Sequence, residues 1–109
     1  MEDSESKARG GVSLVESAPD RYAALGALTF TTATGALAAG LTALTRAQGK
    51  SIEVDLGEVD AADSAGLAVL IEWAAWARRN GRSLRFTQVP DALRTIARIS
   101  EIEELLFRA

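Results

Sequence analysis

Ile52, Val54 and Leu56 alternate with Glu53 and Asp55 up to Gly57, the period of a half-buried strand that stops at a turn. From Leu67 the period lengthens. Leu67, Leu70, Ile71 and Ala74 fall at i, i+3, i+4 and i+7, which predicts one apolar stripe of a helix facing a core. Between them lies Asp60-Ala-Ala-Asp63-Ser64-Ala-Gly66, small residues flanked by acids. Residues 54–71 thus read as strand, loop and helix, and the rest of the chain arranges itself around them.

Upstream, Val12 and Leu14 begin an alternating strand that ends before Pro19-Asp20, a turn signal. Tyr22 to Leu28 forms a second strand, weakest at Gly26, and the two make an antiparallel hairpin. Thr31 or Thr32 can cap a helix running to about Gln48, with Ala33, Leu37, Leu41 and Leu44 as its stripe and Gly49 as its C-terminal stop. Gly35 and Gly40 each cost such a helix about 1 kcal/mol relative to Ala, so they mark close helix contacts or tolerated losses. The central helix ends at Asn80-Gly81 after Arg78 and Arg79, whose charges suit a helix C-terminus. Leu84 and Phe86 give a fourth strand, and Pro90-Asp91 opens a helix buried through Leu93, Ile96 and Ala97. Ser100-Glu101-Ile102-Glu103 reads as a capping box for a short last helix with Leu105 and Leu106.

The order is β-β-α-β-α-β-α-α. Strand-helix-strand units predict parallel pairing by right-handed crossovers, and the hairpin adds an antiparallel pair. The expected fold is therefore α/β, a mixed sheet of about four strands with helices packed on one face. Residues 1–11, polar and ending in Gly10-Gly11, are expected to be a mobile tail before a single domain over 12–109.

Composition narrows the chemistry. The 109 residues include no Cys and no His, which removes disulfides, thiolate nucleophiles, Ser-His-Asp triads and His- or Cys-ligated metal sites. A net charge of -3 argues against a nucleic-acid partner. The first residues lack the basic start and apolar core of a signal peptide, and no apolar run approaches the roughly 18–20 residues of a membrane span. A soluble cytoplasmic protein without cofactor or metal is expected. Enzymatic acid-base work would fall to Asp60 and Asp63 alone, a remote reading.

Asp63 and Ser64 are the candidate N-caps of the central helix. A hydroxyl there has a second reading, since unpaired N–H groups and the positive end of the helix dipole would stabilise a phosphate on Ser64. The stretch VDLGEVDAADSAGLAVLIEW resembles the signature of STAS domains, found in sulfate transporters and anti-sigma factor antagonists, with Asp63, Ser64, Gly66 and Leu67 on the Asp-Ser/Thr-x-Gly-Leu pattern. The resemblance implies a mixed sheet with helices and a non-catalytic binding module. In the sporulation antagonists the residue matching Ser64 is phosphorylated by a partner kinase. Gly26-Ala-Leu-Thr-Phe30, Leu84-x-Phe86-x-x-Val89-Pro90 and Ile96-Ala97-x-Ile99 extend the resemblance, over about 12–106, to the MlaB branch. That branch implies a cytoplasmic subunit bound to the MlaF-like ATPase of an ABC transporter that moves phospholipid and maintains outer-membrane lipid asymmetry. The membrane would then be reached only through the transporter.

Two functions stay open: an ATPase-binding transporter subunit, and an anti-sigma factor antagonist switched at Ser64. A homodimer of the isolated domain is also left open. The expected partner surface comprises Asp63, Ser64, Ala65, Gly66, Val69 and Trp76. Small residues at the helix start would admit another protein closely, with Val69, Glu72 and Trp76 continuing outward from Ala65. Trp73 is expected to pack against a neighbouring helix. Trp76 divides evenly between core and partner surface.

Overall fold

The computed structural model describes residues 12–107, and the expected N-terminal tail over 1–11 lies outside the described residues. Strands β1 (Ser13–Ala18) and β2 (Arg21–Leu28) form the hairpin, turning at Asp20, whose φ of 63° is the left-handed conformation that Asp tolerates better than most residues. Helix α1 (Ala33–Leu44), strand β3 (Ser51–Ala62), helix α2 (Ser64–Arg79), strand β4 (Ser83–Thr87) and helices α3 (Asp91–Ile99) and α4 (Glu103–Phe107) follow. The sheet runs β1-β2-β3-β4 in space, antiparallel at its first pair and parallel at the next two. This is the α/β mixed sheet that the periodicity predicts.

β3 is longer than its alternation suggests. It runs through Gly57 to Ala62, and its second half pairs with Leu25–Leu28 of β2. Two register shifts, between Ala23 and Leu25 and between Gly26 and Ala27, break the strict period of two over that half. Gly26, at φ 110°, supplies the backbone freedom for the second shift.

The core lies between the sheet and the helices. Tyr22, Ala24 and Leu28 of β2 and Ile52, Val54 and Leu56 of β3 are buried, while Glu53 and Asp55 alternate away from them. On that other face Glu53 pairs with Arg21 at 3.8 Å and Arg85 at 3.3 Å, a cross-strand ladder on a half-wet surface. The indole of Trp73, fully buried, lies against Gly40 of α1 and donates from Nε1 to the Leu37 carbonyl at 3.4 Å. A Cβ at position 40 would overlap that ring, so Gly40 is the close helix contact.

Several boundaries differ from the sequence reading. α1 stops at Leu44, with Thr45 rather than Gly49 as its C-cap, and its buried line is Ala36, Gly40 and Leu44, with Leu37 and Leu41 on the flank. Ser100 terminates α3 instead of opening a capping box, and the Glu103 carboxylate bridges Arg94 at 3.5 Å and Arg98 at 3.4 Å. Asn80 and Gly81, at φ 69°, end α2 as expected.

Candidate functional site

The site is the corner where β3 enters α2. Asp63 is the N-cap, with extended backbone at φ -142° and ψ -168°, and its Oδ1 accepts from the N–H groups of Ala65 at 2.9 Å and Gly66 at 3.1 Å. Its Oδ2 accepts from the N–H of Phe30 at 3.0 Å, thirty-three residues upstream. The Asp63 N–H in turn donates to the Leu28 carbonyl at 3.1 Å. One acidic residue thus closes the helix end and fixes the loop after β2 against it.

The Phe30 N–H, assisted by those of Gly66 and Ala65, holds the Asp63 carboxyl below the usual carboxylate range despite some desolvation. A general base working near neutral pH needs the opposite shift. Among the described residues, no three His, Cys, Asp or Glu side chains converge as metal ligands. No described helix is long and apolar enough to cross a membrane.

Ser64 occupies the first helical position, outside the cap. Its side chain is exposed and its hydroxyl has no hydrogen-bond partner among the described residues. The capping role offered to both residues therefore belongs to Asp63 alone. Next to the corner stands Phe30, 80% exposed, with its backbone fixed by Asp63. Thr29 and Thr31 flank it with hydroxyls 3.1 Å apart.

The remaining partner-surface residues do not form one outward stripe. Gly66 is buried against the Leu28 backbone, where an added Cβ would overlap the carbonyl oxygen, so the close approach its size permits is made within the chain. Val69 is only 4% exposed and belongs to the core. Trp76 is half-buried against the core, and the Arg82 guanidinium lies over its ring, 5.5 Å from the centroid, in a cation–π contact. Ala65 is half-buried. The reason is rotational: α2 buries Gly66, Leu67, Val69, Leu70, Trp73 and Ala77, an arc turned away from Ile71, which is 40% exposed. The outward line is Ser64, Ala68, Ile71 and Glu72. Sequence reasoning did not single out Phe30 as a site residue, and its one signal there is a large aromatic between Thr29 and Thr31, just past a strand end.

Among curated proteins none matches the chain by sequence. Among 15 matching solved chains is the anti-sigma factor antagonist SpoIIAA in its unphosphorylated form, 13% identical, with a TM-score of 0.65 over 84% of this chain and 82% of that one. A second, Mglu, is 21% identical with a TM-score of 0.49, over 72% of this chain and 19% of its own length. The likeness to SpoIIAA is one of fold. A family model described as "Mlab, STAS domain" matches residues 16–107, nearly all of the described chain and the whole of the corner around Asp63 and Ser64, and the protein therefore belongs to the STAS domain family.

Proposed function

We propose that this protein is a non-catalytic STAS subunit that docks, through the corner at the start of α2, onto the ATPase of an ABC transporter moving phospholipid. The observation that carries the reading is a corner that presents the exposed Ser64 hydroxyl, unbonded among the described residues, and the exposed Phe30, whose backbone Asp63 fixes. An exposed aromatic side chain and an unbonded hydroxyl at one corner with a fixed backbone suit a protein contact, which gains from desolvating the ring and can bond the hydroxyl. The description of the matching family model supports the transporter branch, as do Leu84-x-Phe86-x-x-Val89-Pro90 and the residues after them. Asp63 is committed to three N–H groups and held ionised, which favours binding over catalysis.

A second reading makes the protein an anti-sigma factor antagonist switched at Ser64. The same hydroxyl favours it, because it is exposed to a kinase and has no intramolecular hydrogen bond to lose among the described residues. Co-purification from the native cell, with the partner identified by mass, separates the two. Recovery of an ABC ATPase with wild type and Ser64→Ala, and its loss with Ser64→Glu or Phe30→Ala, is the expected result. Recovery of a kinase that binds a sigma factor would replace the first reading by the second.

A further inference from the structure

β3 outlasts one of its neighbours. β4 pairs only with residues 51–55, so residues 57–62 of β3 keep β2 on one side and meet no described strand on the other. Gly57, Glu58, Asp60 and Ala61 are exposed there, and Val59 and Ala62 are half-buried. Where the ladder to β4 stops, the Gly57 N–H donates to the Asp55 carboxylate at 2.7 Å. Beyond it, the backbone of residues 58–62 makes no hydrogen bond among the described residues other than those to β2. Strand N–H and C=O groups alternate between the two sides, so this stretch turns every second pair outward without a partner.

Exposed strand edges are kept from indiscriminate pairing by charge. On this one the charge is acidic, because Glu58 and Asp60 form no ion pair among the described residues. We infer that residues 57–62 accept a short, extended, basic segment of another protein as an added strand. The segment would bond the outward backbone groups, and its Lys or Arg side chains would meet Glu58 and Asp60. Two register shifts twist this half of the sheet, which limits the added strand to about four residues. A second copy of the chain fits worse, since pairing two such edges sets Glu58 and Asp60 against the same acids. The edge runs into Asp63 and Ser64, so the segment would lie beside the corner, and the inference holds whichever partner meets that corner.

Titrating the full chain with a blocked octapeptide of alternating Lys and Val, followed by amide exchange in NMR spectra, tests this. Saturable binding that protects alternate amides within residues 57–62 is expected, and an octapeptide of alternating Glu and Val should not bind. Glu58→Lys and Asp60→Lys should each weaken binding by about tenfold or more, with unchanged circular-dichroism melts because both side chains are exposed. Methylating the backbone nitrogen of every Lys, or of every Val, should abolish binding in one case only, since one set alone faces the edge. Binding that survives both methylations, or that leaves these amides unprotected, is charge attraction alone and overturns the inference. So does an absence of binding at about 1 mM peptide. Protection of the same amides that grows with protein concentration, without peptide, would give the edge to a second copy and overturn it too.

Discussion

Thr32 and Ser64 both stand at the start of a helix with a short hydroxyl, and the structure uses them in opposite ways. Thr32, 7% exposed, turns its hydroxyl inward, donating to the Ala27 carbonyl at 2.7 Å and accepting from the Thr29 N–H at 2.9 Å. It occupies the N-cap position of α1, as one of the two expected caps, but its side chain bonds none of the helix N–H groups and serves the loop after β2 instead. The Ser64 hydroxyl bonds to nothing among the described residues, because Asp63 has already taken the first N–H groups of α2. A hydroxyl buried beside unpaired backbone groups is absorbed into the architecture, whereas one relieved of the capping task by its neighbour stays available.

Substitutions on either side can break this contrast. The largest effect is expected from Gly66→Ala, which forces a Cβ into the Leu28 backbone at the foot of the corner and should cost about 3 kcal/mol or more in denaturant melts. Thr32→Val comes next. It keeps the shape but strands the Ala27 carbonyl and Thr29 N–H, for a loss of about 1–3 kcal/mol by the same measurement. An unchanged melt would mean that water replaces the hydroxyl.

Asp63→Ala should lower the melting temperature and also remove a pH dependence. The carboxyl has a lower pKa folded than unfolded, so its stabilisation is present above the unfolded value and fades as pH falls through the folded one. The gap between wild type and variant should therefore be constant near neutrality and close under acid. A gap that persists in acid would deny the carboxylate its part. Ser64→Ala should have the smallest effect, within about 0.5 kcal/mol, and a larger loss would show the hydroxyl at work inside the chain.

How far the sequence spoke depended on local redundancy. The element order, the turn at Asp20 and the end of α2 at Gly81 were legible because period and punctuation agree there. The second half of β3 was not, since two register shifts and a run of small residues erase the alternation. Choosing between Asp63 and Ser64 as cap needs backbone angles, which two adjacent capping residues conceal. The rotation of α2 escaped for a different reason. Ile71 looks like core in a helical repeat, yet the close packing of Gly66 on Leu28 and of Trp73 on Gly40 turns it outward.

The bond from the Phe30 N–H to Asp63 joins segments far apart in sequence, and its effect reaches past stability. A loop that must be ordered on contact charges its conformational entropy against affinity, while a loop already fixed does not. Because Asp63 orders residues 29–31 before any encounter, a partner would meet Phe30 and Ser64 in a prepared arrangement. Releasing that one bond would weaken association while every contacting side chain remained in place.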